Sequence, residues 1–479
     1  MKLLVKPRLY QEQIFATAAK ENTLVVLPTG LGKTLIALMM AIHYLPKGKV
    51  LIMAPTKPLV EQHLKSFTRD SDLLESDCAL ITGAVSPDER TYEQRVIFAT
   101  PQTIRNDIIT HRLKLNDFSL LIFDECHRAT GNYAYTFIAQ QFNDRIIGLS
   151  ASPGNDSERI KEVCNNLGLT AIEARTEQDL DVKQYLNKKK VININLELPS
   201  SLEAVMKHLK QSLSNNLKDL KLAGALTGHD ITKVFKRDLL LLQSQAVRDK
   251  SYQLMSMTAR SLKAMHAIEL IETQGPESLK KYFDGLKRQP SRASKELIRE
   301  PEFLQAMHLL YETSDDHPKF KALLDLIKPD KTQLIFTQYR ATAELINDLI
   351  NNNGGNARLF IGQRGTKGMS QKEQLSVLDA FRNNEFNTLV STSVSEEGID
   401  IPRIDAAIFF EPVPSALRTV QRRGRVGRAK TGEVYVLITK GTVDEKYKWV
   451  AHYKEKRMKE AINNINKQDL VQSSLNSFI

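Results

Sequence analysis

At 479 residues the chain has room for about three domains, on a prior of roughly 150 residues each. A hydrophobic share of 42% and a charged share of 26% describe a globular profile and exclude a disordered or fibrous chain. The net charge of +11 favours a polyanionic partner, either nucleic acid or an acidic membrane surface, although mild basicity can also serve solubility alone. Three cysteines, Cys78, Cys126 and Cys164, have no CxxC spacing, which speaks against a zinc site or a disulfide framework. The opening MKLLVKPRLY lacks the long apolar core of a signal peptide, and no apolar run reaches the roughly 18 residues of a membrane span. A reduced, cytoplasmic setting is the expectation.

Residues 1–200 alternate short apolar strands with helices. The strands are expected at 24–27, 50–54, 79–82, 96–99, 120–123, 146–150 and 191–198, with helices between them, for example over 58–66 and 157–167. Short apolar strands without strict alternation predict a parallel sheet covered on both faces, with ligands beyond the carboxyl ends of the strands. The first strand runs into Pro28-Thr29-Gly30-Leu31-Gly32-Lys33-Thr34, and an apolar-periodic helix follows (Leu35, Ile36, Leu38, Met39, Ile42). That is the strand–loop–helix context of a phosphate-binding loop. The glycines let the backbone wrap a phosphate and helix N-terminal N–H groups point at it. Lys33 would reach the β- and γ-phosphates, and the Thr34 hydroxyl would ligate Mg²⁺. The strict pattern would place its first glycine where this chain has Leu27.

From 202 the character changes. Leu202, Val205, Met206, Leu209, Leu213, Leu217 and Leu220 recur at helical spacing, and 239–271 continues helically. Gly224, Gly228, Gly275-Pro276 and Gln289-Pro290 punctuate the region, which reads as an all-helical insert. Its basic residues are interleaved with acidic ones, so a solvated bundle face is one reading of them. From His317 the alternation returns, with strands expected at 333–337, 357–360, 388–391, 406–411 and 433–438, and a charged helix from about 444 leads to a polar tail. The expected division is 1–201 for an ATP-binding α/β domain, 202–316 for the insert, and 317–479 for a second α/β domain with a C-terminal helix.

Two further stretches carry chemistry. Leu120 to Phe123 is a strand that ends in Asp124-Glu125-Cys126-His127. An Asp there can hold Mg²⁺ beside the phosphate loop, and the adjacent Glu can orient and deprotonate a water. Alone, the pair could equally be a solvated strand edge; with a phosphate loop upstream, the functional reading prevails. Ser150-Ala151-Ser152 follows another strand, and its small hydroxyls could bond either the acidic loop or the nucleotide. Gln421-Arg422-Arg423-Gly424-Arg425-Val426-Gly427-Arg428 would be a self-repelling helix unless anions satisfy it, and arginine's planar fork suits phosphate.

The ordered set PTGLGKT, APTKPLV (54–60), TPQT (100–103), DECH (124–127), SAS (150–152), IFTQYR (335–340), STSVSEEGIDIP (391–402) and QRRGRVGR (421–428) resembles the motifs of the superfamily 2 DECH-box helicases. The DECH box, His317-Pro318-Lys319-Phe320 and the helical insert are most similar to the group around archaeal Hef and the Fanconi anaemia group M translocase. Dicer and the RIG-I-like receptors are more distant members.

The resemblance covers nearly the whole chain. It implies two RecA-like domains with ATP and Mg²⁺ in the cleft between them. Arg8 and Gln11 match the adenine-recognising segment, while Thr29, Gly30, Leu31, Gly32, Lys33 and Thr34 match the phosphate loop. Asp124 would ligate Mg²⁺ together with Thr34, and Glu125 would be the water-activating base. Gln421 would sense the γ-phosphate, with Arg425 and Arg428 as arginine fingers, and Gly398 and Asp400 would link ATP to the second domain. Pro55-Thr56, Thr100-Pro101 and Thr392 match segments that contact nucleic-acid backbone. The implied activity is an ATP-dependent helicase or translocase on branched DNA, forks and junctions, in DNA repair. The alternative is a double-stranded-RNA-dependent ATPase of the RIG-I or Dicer kind; a scaffold without catalysis is opposed by the intact Lys33, Asp124, Glu125, Arg425 and Arg428. In Hef a nuclease domain follows the helicase part. No such segment is legible here, and the expectation is a shortened chain working at the nucleoid.

Overall fold

The computed structural model describes all residues except 155–156, 178, 186–188, 363–367, 393–403, 413–431, 455, 458–459 and 461–479. The first unit holds strands β1 (Thr23–Val26), β2 (Lys49–Met53), β3 (Cys78–Ile81), β4 (Val96–Ala99), β5 (Phe118–Asp124), β6 (Arg145–Ser150) and β7 (Ala171–Ala174). They form a parallel seven-stranded sheet in the order β3-β4-β2-β5-β6-β1-β7. Its helices are α1 (Leu9–Ala18), α2 (Lys33–Tyr44), α3 (Lys57–Asp70), α4 (Pro101–Ile109), α5 (Ala134–Gln140), α6 (Ser157–Leu167) and the short α7 (Leu180–Lys183).

Successive strand residues point to opposite faces, and here both faces are core. Leu24, Val26, Leu51, Met53, Leu121 and Phe123 enter one buried cluster. Val25, Leu27, Val50, Ile52, Leu120 and Ile122 enter the other. This is why the strands read as unbroken apolar runs. Because the sheet is parallel, the loops after β1, β5 and β6 open at one edge. The order β5-β6-β1 sets those loops side by side, with Asp124 in register with Leu149 and Ser150 in register with Val26.

The last strand expected in this unit belongs elsewhere. Residues Lys189–Leu196 form β8, which pairs in parallel with β13 (Gly432–Thr439) of a second sheet. That sheet also holds β9 (Gln333–Phe336), β10 (Ala357–Phe360), β11 (Thr388–Ser391) and β12 (Ala406–Phe409), in the order β10-β11-β9-β12-β13-β8. The first unit therefore ends before Lys189, and the division expected at 201 is corrected. The physical reason lies in the pattern Ile192-Asn193-Ile194-Asn195-Leu196. Its strict alternation marks an edge strand with one wet face, and Ile194 and Leu196 pack on the second unit's core while Asn193 and Asn195 are exposed.

The insert leaves from β8 and returns to the same unit. It comprises α8 (Ser200–Leu222), α9 (Lys236–Arg248), α10 (Tyr252–Thr273), α11 (Pro276–Arg288), α12 (Arg292–Arg299) and α13 (Pro301–Glu312). Leu202, Val205, Leu209, Leu213, Leu217 and Leu220 of α8 all join its core. Gly275, at φ +91°, turns the chain from α10 into α11, where Pro276 opens the helix. The second unit adds α14 (Pro318–Leu326), α15 (Arg340–Asn352) and α16 (Gln371–Arg382), and a helix over 443–454 follows β13.

Insert and second unit share a buried polar seam. Lys319 and Asp444, both fully buried, pair at 2.6 Å. Gln274, after α10, bonds Glu411 and Thr342. Glu272 accepts from the Val443 N–H at 2.9 Å and pairs with Lys210 at 2.8 Å. His317 caps α14 through the Lys319 N–H, and its other ring nitrogen lies 3.2 Å from the Glu272 carbonyl. Burial and the Lys319 charge hold its imidazole down at about 3, against an ordinary 6.5. Glu269 joins the seam from α10. Burial raises its carboxyl, but His266, Lys236 and Tyr339 outweigh this and bring it to about 2.

Candidate active site

The loop after β1 is shaped by two glycines with left-handed backbone, Gly30 at φ +86° and Gly32 at φ +78°. Gly32 is the N-cap of α2. A Cβ there would also lie 2.4 Å from Gln11 Nε2, so glycine is required on two grounds. Leu31 turns its side chain into the core and offers its carbonyl to the segment at the start of α1. The Tyr10 hydroxyl donates to that carbonyl at 2.7 Å and Gln11 Nε2 donates at 3.1 Å. Gln11 Oε1 accepts from the Arg8 N–H at 2.9 Å. The expected adenine segment is thus tied directly to the phosphate loop. Arg8 also lays its guanidinium over the ring of Tyr185, 4.2 Å from the centroid. Thr29 and Thr34 are both part-exposed beside the glycines.

Lys33 opens α2, and its ammonium donates to the Leu27 carbonyl at 3.1 Å. This carbonyl closes the strand that delivers the loop, so the lysine lies over the curl that a phosphate would fill. Asp124, at the end of β5, is buried. Burial pushes its carboxyl up, but His63 at 2.8 Å and the nearby charge of Lys33 outweigh this and hold it below the ordinary carboxylate range. The carboxylate is therefore ionised and faces the lysine's field.

Glu125 adopts a left-handed backbone at φ 49°, a conformation that costs a non-glycine residue roughly 1–3 kcal/mol. Its Oε2 is buried without a hydrogen-bond partner, 3.3 Å from His127 Nδ1. The same ring nitrogen lies 3.2 Å from Ser150 Oγ, and Ser150 Oγ accepts from the Ser152 N–H at 3.0 Å. A strained backbone and a carboxylate oxygen without a partner are features of a site built for a ligand rather than for stability. The contact to Ser150 expected of the acidic loop is made through His127.

Two helix N-termini flank this edge. Thr56 is the N-cap of α3 after β2, and Thr100 is the N-cap of α4 after β4, with Pro58 and Pro101 in the respective first turns. Such ends present free N–H groups to an anion. Thr392, after β11, is buried at the corresponding edge of the second sheet.

The structure brings together Arg8, Gln11, the 29–34 loop, Asp124 and Glu125. Gly398, Asp400, Gln421, Arg425 and Arg428 lie outside the described residues. Four residues were missed by sequence reasoning. His63 and Tyr135 lean on Asp124 from α3 and α5; the Tyr135 hydroxyl sits 2.7 Å from the Asp124 carbonyl and 3.2 Å from that of Met53. Tyr185 stacks on Arg8, and His127 bridges two motifs. His127 lay within the DECH box, but nothing local in the sequence marks the other three.

A phosphate-loop edge on one parallel sheet, with a second parallel sheet following it, defines a two-sheet P-loop architecture. The comparisons agree. Residues 4–155 match the family model "Type III restriction enzyme, res subunit", and 318–430 match "Helicase conserved C-terminal domain". Residues 201–317 match "Putative ATP-dependent RNA helicase, helical bundle". The chain is similar to the crystal structure of the Pyrococcus furiosus Hef helicase domain, at TM-score 0.74 and 42% identity, over 94% of this chain and 99% of that one. It is 43% identical to "Putative ATP-dependent RNA helicase MJ1505" of Methanocaldococcus jannaschii, over 96% of this chain and 62% of that protein. It is 32% identical to the mouse "Fanconi anemia group M protein homolog", over 91% of this chain and 25% of that one. The chain belongs to the superfamily 2 helicases, in the group that contains Hef and the Fanconi anaemia group M proteins. It spans between 25% and 62% of the length of these two curated relatives. Among the described residues no helix is long and apolar enough to cross a membrane.

Proposed function

We propose that the chain is an ATP-driven DNA helicase or translocase that acts on branched DNA, such as forks and junctions, within DNA repair at the nucleoid of the cytoplasm. The observation that carries the ATP part is the Lys33–Asp124–Glu125 edge, where an ionised carboxylate lies in a lysine's field and a glutamate with a strained backbone stands beside it. Relatives named as DNA helicases, such as the fission yeast fml2 and fml1 proteins, support DNA over RNA.

In this reading Lys33 and the loop N–H groups bind the β- and γ-phosphates, and Gln11 and Arg8 hold the base. Glu125 orients a water and takes its proton. Thr34 and Asp124 fit Mg²⁺, since one offers a hydroxyl and the other a carboxylate held ionised. Among the described residues no cluster of three or more His, Cys, Asp or Glu could hold a metal by itself. Thr34 and Asp124 would hold the ion, which when bound would supply positive charge to offset that of the phosphates. Gln421, Arg425 and Arg428 of the second unit would meet the γ-phosphate on closure, with Gly398 and Asp400 transmitting the change, and each arginine is worth on the order of 10³-fold in turnover. Thr56, Thr100 and Thr392 would hold backbone phosphates on the two units, so closure and opening advance the protein along a strand. A nuclease domain in a longer form of the chain would act on the branch so exposed.

The insert would read DNA structure. Lys281, Lys287 and Arg288 lie exposed on α11, and Lys280 is part-buried there. Lys280 and Lys287 also meet Glu277 and Asp284 one turn away, at 3.1 and 3.6 Å. Exposed pairs of that kind are worth little and yield readily to phosphate. Reversing charge at Lys280, Lys281, Lys287 and Arg288 should abolish the preference for forked over single-stranded DNA while single-strand-stimulated ATP turnover is retained. Equal loss on both substrates, or none on either, would refute structure reading by the insert.

A further inference from the structure

The helix over 443–454 presents a face that neither the ATP site nor the insert uses. Its inner side is fixed. Asp444 is fully buried against Lys319, and Tyr447 reaches Glu269 of the insert. Its outer side carries Trp449, which is 56% exposed, and Tyr453, which is 58% exposed. The two rings lie 6.1 Å apart and 33° from parallel, and His452 stands edge-on to the indole at 6.2 Å. Lys446 and Val450 share this outer face by i, i+3 and i, i+4 spacing, and Lys456 and Arg457 continue it as exposed residues. Large rings left in water cost free energy and mark a contact surface when they cluster. Rings set among cations fit a ligand that is both flat and anionic, and bases joined by phosphates meet that description. A membrane-surface helix would instead set a broad aliphatic face opposite its cations; here Val450 is the aliphatic residue among three rings.

We propose that Trp449 and Tyr453 form a stacking platform for bases of single-stranded nucleic acid, with Lys446, Lys456 and Arg457 meeting the adjoining phosphates. This rests on the nucleic-acid reading above and assigns part of the single strand's path to the helix that locks insert to second unit. Such a platform is tolerant of sequence, because every base has a flat face.

The chain has one tryptophan, so its emission reports on this surface alone. The experiment titrates a thymidine oligonucleotide into the protein without nucleotide, following indole emission and the anisotropy of a labelled copy together. The proposal expects emission typical of a solvated indole in the free protein, then quenching that saturates in step with anisotropy. Trp449→Ala should weaken binding by about fivefold or more, whereas Trp449→Phe should stay within about twofold. Lys33→Ala should quench like the unaltered protein. Four results would overturn the platform: unchanged emission while anisotropy reports binding; Trp449→Ala binding at full strength; a buried, blue-shifted indole before DNA is added; or a response to vesicles of anionic phospholipid but not to the oligonucleotide. If the oligonucleotide binds and stimulates ATP turnover with emission unchanged, only the platform fails. If anisotropy shows no binding at all, the nucleic-acid reading fails with it.

Discussion

Lys33 with Asp124 and Lys319 with Asp444 are two lysine–aspartate pairs with opposite constructions. Lys319 and Asp444 are sealed from water and touch at 2.6 Å, and the Thr439 N–H adds a bond to the same carboxylate oxygen at 3.0 Å. Lys33, at the start of α2 after β1, and Asp124, at the end of β5, stand on the same edge of the sheet, each held by something else: the lysine by the Leu27 carbonyl, the aspartate by His63. The difference shows what separates a structural charge pair from a site. A pair that closes on itself has little charge to offer a ligand and fastens α14 to the helix over 443–454 within the second unit. In the other pair each charge is bonded to a third party, the lysine's charge still lowers the aspartate carboxyl, and Glu125 beside them holds a strained backbone.

The contrast is broken most severely by exchanging the outcomes of two substitutions. Lys33→Ala should lower ATP turnover by roughly 10²- to 10³-fold, because it removes a donor aimed at developing charge. Its melting temperature should stay within a degree or two of the unaltered protein's, about the size of a surface substitution. Lys319→Met should do the reverse. It strands a buried carboxylate, so denaturant unfolding should show a loss of about 3–5 kcal/mol, and Lys319→Met with Asp444→Leu should recover much of it. A stable Lys319→Met variant, or an unstable Lys33→Ala variant, would erase the distinction.

His63 sharpens the comparison, since it is the third party on the catalytic side. His63→Gln should raise the Mg²⁺ concentration for half-maximal turnover by about tenfold, the lower end of what second-sphere partners contribute. Isothermal titration of Mg²⁺ into the nucleotide-bound protein would check the same shift without turnover. An unchanged Mg²⁺ dependence would make His63 a packing residue.

His317 does the same for the seam, with a smaller effect. Its folded value of about 3 lies below the ordinary 6.5. Below 6.5 the unfolded chain takes up a proton that the folded chain refuses, so its contribution is complete above that value. It is lost as pH falls toward 3. His317→Asn should therefore flatten the fall in stability across that window, as measured by denaturant unfolding at a series of pH values. Parallel curves would show that the imidazole titrates freely.

Legibility from sequence follows the reach of each interaction. The phosphate loop and the acidic box are local: Gly30, Gly32, Lys33 and Thr34 fall within five consecutive residues, and Asp124-Glu125 ends one apolar strand. Both faces of the first sheet are buried, so its strands stand out as runs. His63 and Tyr185 escaped because each acts across the fold, His63 on a strand 61 residues away, and no spacing rule connects them. The short β7, Ala171–Ala174, lacks the β-branched run that would announce it, with Ile172 alone. β8 is legible as a strand, but chain order alone points to the wrong sheet; the alternation of Ile192, Ile194 and Leu196 with asparagines is the mark of the edge position it takes beside β13. Its true place changes the functional picture. An insert leaving from β8 and returning to α14 is an excursion of the second unit, tied to it through Lys319 on the Thr273 carbonyl, through Gln274 and through Glu272.

The measurement that bears most directly on the whole account is the rate of ATP hydrolysis across a panel of single-stranded, duplex, forked and four-way DNA together with duplex RNA. Forked or four-way DNA should stimulate turnover most, duplex RNA should stimulate it least, and Lys33→Ala should abolish the response to every member. Strongest stimulation by duplex RNA, or a rate indifferent to all nucleic acids, would contradict the proposed function.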